Sequence, residues 1–334
     1  SFKTPEGRIE PDYAANRQFV RTKEYVKVRW QEFYMTDTEA RQHIEKAYND
    51  RIAFLPRKAD GQYIRCDEVK AAGITPYPYQ LDGVAMLVEN NGGLEQQPTG
   101  GGKTLTMLMT AMRLKQCGVA QKPMICGLIA NIEEIYQTAK RIYPNAKILY
   151  ADNSAFRDTR AFLAKIANND WDLVLMSHSQ LTRIPQHRDT VIEILCEEQQ
   201  FIEDEIRFMK SIQAADQIGL DSRLTKRELK GLEVRKANKE AEIKRWLSLS
   251  DTTSLDIIKL GIDHIMIDEA HMFKNLAYST RHRNIAGLNP TGSARAGLLY
   301  MNIRAIRNHY YNGEDKGLTF VTATPIQNYV AEQY

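Results

Sequence analysis

The sequence is poor in cysteine, in long apolar runs and in net charge, and each shortage removes a class of protein. Its four cysteines, Cys66, Cys117, Cys126 and Cys196, are spread over 334 residues with no C-x-x-C pair and no neighbouring histidine cluster. That spacing speaks against a disulfide framework and a zinc site, and it fits free thiols in a reducing compartment. No apolar run approaches the roughly 18–20 residues of a membrane-spanning helix, and the N-terminal stretch has no signal-peptide core. A cytoplasmic protein without a membrane partner is expected. Lys and Arg number 45 against 42 Asp and Glu, a formal charge of +3. Affinity for a polyanion must therefore come from local patches. No internal repeat is visible.

What is present changes along the chain. Residues 1–73 are charged and aromatic, with a helix expected over Thr38 to Asp50, where Ala40, Ile44 and Ala47 recur at three- to four-residue spacing. We read this part as a partly helical N-terminal extension. From residue 74 short apolar runs alternate with amphipathic stretches, the pattern of an α/β domain with a mainly parallel sheet flanked by helices. Strands are expected at Met124 to Ala130, Lys147 to Tyr150, Leu173 to Met176, His264 to Ile267 and Leu318 to Val321.

Residues 186–260 interrupt that alternation with a long charged stretch. Ile192, Leu195, Ile202, Ile206, Met209 and Ile212 make one apolar stripe, and Leu224, Leu232, Ala237, Ala241 and Trp246 sketch another. Acidic residues crowd the first arm and basic residues the second. An antiparallel helical hairpin turning near Gly219 to Ser222 would set these charges against each other.

Thr99-Gly100-Gly101-Gly102-Lys103-Thr104 is a glycine-rich turn running into residues at helical spacing. Glycines let backbone N–H groups converge on phosphate oxygens, and the helix N-terminus adds positive partial charge. Lys103 would reach the β- and γ-phosphates of ATP, and the Thr104 hydroxyl would ligate Mg²⁺. The P-loop pattern asks for Gly where this chain has Gln97, and Leu94 to Gln97 makes a poor apolar strand.

A second element supports the first. Ile265-Met266-Ile267 is a short apolar run ending in Asp268-Glu269-Ala270-His271. Carboxylates at the C-terminal end of a buried parallel strand emerge where α/β sheets bind ligands. Asp268 can hold a phosphate-bridging Mg²⁺, and Glu269 can orient and deprotonate the attacking water.

These residues resemble motifs I and II of superfamily-two helicases and translocases, whose fold is a RecA-like P-loop lobe. Leu318 to Pro325 resembles motif III, and Tyr77-Pro78-Tyr79-Gln80 resembles the glutamine motif. The likeness implies that Tyr77 and Gln80 hold adenine and that His271, Thr322, Thr324 and Gln327 couple hydrolysis to movement. Asp268 to Asn275 and Thr324 to Asn328 are similar to the Swi/Snf-type translocases, which also carry a helical protrusion on the first lobe. Tyr48-Asn49 and Ser293 to Ala296 look like the helicase portions of phage and mobile-element proteins joined to a DNA methyltransferase. The resemblance covers about residues 76–328, and it implies ATP and Mg²⁺ as cofactors. It implies DNA, in duplex form, as partner, a linked methyltransferase as a further one, and a bacterial or phage-infected cell as setting.

Such motors close ATP between two RecA-like lobes. No second lobe is visible before Tyr334, so the expectation is that this polypeptide alone binds ATP weakly and hydrolyses it slowly. Candidate nucleic-acid contacts are Asn131, Ser177, His178 and Ser179 in turns after strands, and the basic cluster of Lys274, Arg281, His282 and Arg283. Two other readings compete: an RNA helicase lobe, which shares the D-E-A-H box, and a docking module that has lost catalysis.

Overall fold

The computed structural model describes residues 2–3, 9–10, 13–51, 59–152, 157–215, 222–249, 254–276 and 292–324. Residues 1–58 and 59–334 are two compact units. In the first, β1 (Phe2–Lys3) and β2 (Ile9–Glu10) pair antiparallel, followed by α1 (Tyr13–Thr36) and α2 (Thr38–Arg51). The Asp37 carboxylate accepts from the Ala40 N–H at 2.9 Å, satisfying one of the free donors that open α2. The helix expected from Thr38 is therefore present.

The second unit opens with a 3-10 turn at Gly61–Tyr63 and α3 (Asp67–Ala71). Ile64, Cys66 and Val69 are buried with Val84 and Met107, so the core of the lobe begins ahead of the pattern change at residue 74. Three inward side chains in so short a stretch make no period that the sequence could show. Then come α4 (Pro78–Glu89), β3 (Gly92–Gln96), α5 (Lys103–Gln116), β4 (Pro123–Gly127) and α6 (Ile132–Ile142). They are followed by β5 (Ile148–Tyr150), α7 (Thr159–Ala167), β6 (Leu173–Ser177) and a single turn, α8 (His178–Leu181). Two long helices, α9 (Arg188–Ala215) and α10 (Ser222–Ser248), precede β7 (His264–Asp268), a 3-10 turn at Ala270–Phe273, α11 (Ala294–Tyr310) and β8 (Leu318–Thr322).

Six strands form one parallel sheet in the order β3-β8-β7-β4-β6-β5. The three strands β4, β6 and β7 are buried at every position. Their side chains alternate between two cores. Ile125, Leu175 and Met266 pack on one face with α4, α5 and α6, while Cys126, Met176 and Ile267 pack on the other with α7 and α11. A sheet covered on both faces needs apolar residues at consecutive positions, which is why these strands read as unbroken apolar runs. Each such side chain contributes roughly 1.5–3 kcal/mol of burial. The α/β class and the parallel sheet expected from the sequence are what the structure shows.

Two strand expectations need correction. The run Met124 to Ala130 stops being strand at Gly127, because Asn131 and Ile132 both donate to the Leu128 carbonyl oxygen, at 2.9 and 3.0 Å, and turn the chain into α6. Leu94 to Gln97, which looked too polar for a strand, belongs to β3 and its end. Among the described residues β3 pairs only with β8, and it buries Glu95 and Gln97 rather than apolar residues. The Gln97 amide nitrogen meets Glu95 and Thr106, while Gln97 Oε1 has no hydrogen-bond partner among the described residues.

The insertion is a pair of helices whose arms run antiparallel: Glu198 meets Lys239 at 2.7 Å, Glu203 meets Lys236 at 3.0 Å and Lys210 meets Glu233 at 3.8 Å. The expected turn at Gly219 to Ser222 lies outside the described residues except for Ser222. Ile202, Ile206 and Leu229 form a small core between the arms, with Met209 and Leu232 against it. On α10 the inner positions are Leu229, Leu232, Lys236, Lys239, Ile243 and Trp246, while Ala237 and Ala241 face solvent. The stripe expected through those alanines is thus displaced. Two of its inner positions carry lysines, whose aliphatic stems cover the partner arm while their ammonium groups reach the glutamates. At the base of the hairpin, Arg188 donates to the Trp246 and Leu247 carbonyl oxygens at 3.1 and 2.7 Å. Arg304 on α11 pairs with Glu197 at 2.7 Å.

Candidate nucleotide site

All six strands point the same way, so the turns that follow β3, β7 and β8 emerge at one edge of the sheet. The first of these turns is the glycine loop. Gly100 and Gly102 both have φ of +83°, and Gly102 is the residue from which α5 departs. At Gly102 a Cβ would run into the Gln80 amide nitrogen and displace that side chain, in addition to the cost of the left-handed conformation.

Gln80 is buried and holds the loop from behind. Its Nε2 donates to the Gly101 carbonyl oxygen at 3.0 Å, and its Oε1 accepts from the Tyr77 N–H at 2.9 Å, closing the first turn of α4. The Tyr79 hydroxyl donates to the same Gly101 oxygen at 2.9 Å. The rings of Tyr77 and Tyr79 stack at 5.6 Å and 8°, both exposed beside the loop. No role for Tyr79 follows from the sequence beyond its place one residue before Gln80.

Below the loop, the buried Gln97 Nε2 donates to Glu95 Oε1 at 2.5 Å and to Thr106 Oγ1 on α5 at 3.3 Å. Burial pushes the Glu95 carboxyl above its ordinary range, against the pull of the Gln97 amide. The Gln97 N–H donates to the Thr322 carbonyl oxygen at 3.3 Å, extending the β3–β8 ladder by one bond. The residue that departs from the P-loop pattern is therefore a structural tie between strand, helix and loop.

The second turn carries the acidic pair. Asp268 is buried at the end of β7, and its Oδ1 has no hydrogen-bond partner among the described residues. Burial raises its pKa and the neighbouring Glu269 charge raises it further, opposed by the Glu269 N–H and then by Lys103. A buried carboxylate oxygen left open, within electrostatic reach of Lys103, is chemically suited to a divalent cation. Glu269 adopts a left-handed conformation, φ 51° and ψ 51°. His271 Nδ1 lies 3.2 Å from Glu269 Oε2 and 3.4 Å from Thr322 Oγ1 on β8. The Thr324 N–H donates to the same Thr322 oxygen at 3.2 Å. The residues expected to couple the motifs thus meet, with Gln327 outside the described residues.

The nucleic-acid candidates are distributed unevenly. Asn131 opens α6 and Lys274 follows the 3-10 turn, both half-buried. Ser177 and His178 are buried: the Ser177 hydroxyl accepts from the Gln180 N–H at 3.3 Å, and His178 Nε2 lies 2.9 Å from the Asp268 carbonyl oxygen. A carbonyl oxygen only accepts, so Nε2 carries the proton. Burial pushes the His178 imidazole down to about 4. Ser179 alone of this turn is exposed. Arg281, His282 and Arg283 lie outside the described residues.

The geometry is that of an α/β lobe with a phosphate-type loop and an acidic pair at one sheet edge. The model of the family described as "Probable helicase domain" matches residues 85–334. The chain belongs to this helicase-domain family. No curated protein matches it. Among solved structures it is similar to the Sulfolobus solfataricus SWI2/SNF2 ATPase core in complex with dsDNA, with 14% identity, a TM-score of 0.38, and 85% of this chain and 36% of that one covered. It is also similar to a hypothetical ATP-dependent RNA helicase from Sulfolobus tokodaii, with 10% identity, a TM-score of 0.37, and 79% and 52% covered. For T4 UvsW the values are 11%, 0.41, 86% and 41%. The chain thus spans between about a third and a half of each solved chain it resembles. Among the described residues no helix is long and apolar enough to cross a membrane.

Proposed function

We propose that the chain is the ATP-binding lobe of an ATP-dependent DNA translocase or helicase. The observation that carries this reading is the convergence of Lys103, the open Asp268 carboxylate oxygen and Glu269 at one sheet edge. Gly100 to Thr104 would receive the phosphates, with Lys103 against the terminal ones. Thr104 and Asp268 would hold Mg²⁺, which when bound neutralises charge on the transferring phosphoryl group. Glu269 would orient the attacking water and take its proton. The exposed Tyr77–Tyr79 pair offers an adenine a flat apolar face. Gln80 would add an amide edge, although in this structure it is bonded to Gly101 and Tyr77.

His271 and Thr322 would report the state of the γ-phosphate to β8, with Gln327 continuing the link. Duplex DNA would lie across Asn131, Lys274, Arg281 and Arg283, held through its phosphates without base reading. A second RecA-like lobe would supply the charge-stabilising arginines, and a linked methyltransferase is a further expected partner. The test is ATP hydrolysis by the full-length natural protein with duplex DNA, single-stranded DNA and RNA. Stimulation by duplex DNA that is lost in Lys103→Ala and Glu269→Gln supports the reading. Stimulation by RNA alone replaces it with an RNA helicase, and nucleotide binding unaffected by Lys103→Ala removes it.

A further inference from the structure

We infer that His178 is a positioning residue for the acidic pair, its Nε2–H holding the peptide between Asp268 and Glu269 and linking that peptide to the turn after β6. The inference rests on the hydrolysis reading above for its consequence in catalysis, and on geometry for the contact itself.

Three observations carry it. First, the donor lies 2.9 Å from the Asp268 carbonyl oxygen, which belongs to the peptide whose nitrogen is that of Glu269. Second, Glu269 sits in the left-handed region, which a residue with a Cβ occupies only when its surroundings impose it. This peptide is held by the Met272 N–H bonded to the Glu269 carbonyl oxygen at 3.0 Å, by the Glu269–His271 contact, by the Glu269 N–H donated to the Asp268 carboxylate, and by the His178 bond on the preceding carbonyl. Loss of the last frees the peptide to rotate, and Glu269 then relaxes and swings its carboxylate away from the site. Third, the donor is itself mounted rigidly. Its ring meets Phe273 edge-on at 5.0 Å and 85°. α8 is fastened by the Gln180 side chain, which donates to the Ala151 carbonyl oxygen at 3.0 Å and accepts from the Ser177 N–H at 2.7 Å.

His178 faces inward to the acidic pair, and the next residue, Ser179, faces solvent.

The experiment compares His178→Phe, which keeps a ring against Phe273 and loses the N–H, with His178→Gln, which returns an N–H at similar reach. In the full-length protein, His178→Phe should lower kcat for DNA-stimulated ATP hydrolysis about tenfold or more while leaving KM for ATP nearly unchanged, the signature of a displaced reacting group. His178→Gln should recover much of that loss. In the 334-residue chain without nucleotide, deuterium exchange at the backbone amides of residues 269–273 should quicken in His178→Phe and slow again in His178→Gln. Where His178→Phe does not fold, His178→Asn, too short to reach the carbonyl, takes its place. Unchanged exchange in the donor-less variant, or a Gln variant no better than it, overturns the inference. Absence of hydrolysis in the unmodified protein would sink the hydrolysis reading instead, leaving the exchange comparison to decide the positioning role.

Discussion

The amide of Gln80 donates to the Gly101 carbonyl oxygen at 3.0 Å while standing where a Cβ on Gly102 would have to go. The loop and the first turn of α4 are therefore fitted to each other, and a change on either side is felt on the other. Gly102→Ala should cost about 1–2 kcal/mol for the left-handed conformation alone and displace Gln80 besides. The expected result is nucleotide affinity reduced by about tenfold or more with the lobe still folded, read by titrating a fluorescent ATP analogue. An alanine variant that binds as the parent does would show that the loop re-forms around nucleotide without Gln80.

Gln97 stands where the P-loop pattern has glycine, yet its side chain is bonded to Glu95 and Thr106. Truncation leaves a buried carboxyl group without its amide donor, at a cost of about 1–3 kcal/mol. Urea unfolding of Gln97→Ala should show this loss. Gln97→Gly, although nearer to the pattern, should lose at least as much stability and gain no nucleotide affinity.

His264 is wholly buried, its Nδ1 lying 3.0 Å from Asn91 Oδ1 and its Nε2 2.9 Å from Thr319 Oγ1. The amide oxygen only accepts, so the ring carries its proton on Nδ1 and takes the threonine hydroxyl at Nε2. Burial holds this imidazole down to about 3. The folded state thus stays unprotonated while the unfolded chain takes up a proton below about pH 6.5, so stability is lost as pH falls from there toward 3. From pH 7 to pH 5 the loss from this group is about 2 kcal/mol. Burial raises the carboxyls of Asp263 and Glu95, which act in the opposite sense as pH falls through their raised values. The informative quantity is therefore the difference between the parent and His264→Asn: the variant should be less stable at pH 7 and should lose less on acidification.

Across the helical pair, Lys239 lies 2.7 Å from Glu198, and Lys236 lies 3.0 Å from Glu203. Lys239→Glu alone, or Glu198→Lys alone, sets like charges together and should quicken amide exchange along α9 and α10. The double exchange Glu198→Lys with Lys239→Glu should restore much of the protection, more clearly at low salt than at high salt. Equal protection in all four proteins would mean that the small core of Ile202, Ile206 and Leu229 holds the arms together unaided.

The parts of this molecule that were legible in sequence are those where one physical requirement fills several consecutive positions. β4, β6 and β7 must be apolar throughout because both faces are covered, and the glycine loop and acidic pair bring their chemistry in contiguous runs. β3 was misjudged because its inward residues, Glu95 and Gln97, are polar and answer to each other and to Thr106 on α5, so no apolar run marks the strand. The inner face of α10 was misjudged for a related reason: Lys236 and Lys239 look like surface residues until Glu203 and Glu198 are set opposite them. His178, expected as a nucleic-acid contact in the turn after a strand, is buried and bonds to a backbone oxygen 90 residues away. Long-range partners of this kind leave no local period to find.

The phosphate-type loop hangs from β3, the outermost strand of the sheet, while the acidic pair ends β7, which has a neighbour on each side. The two halves of the nucleotide seat therefore rest on supports of unequal security. Release of β3 would break its ladder with β8 and the Gln97–Thr106 bond to α5, and would leave the ladders among β8, β7, β4, β6 and β5 that carry Asp268. Occupancy of the seat and integrity of the domain are separate equilibria in such a design. Whatever leans on that margin of the sheet sets the first without touching the second.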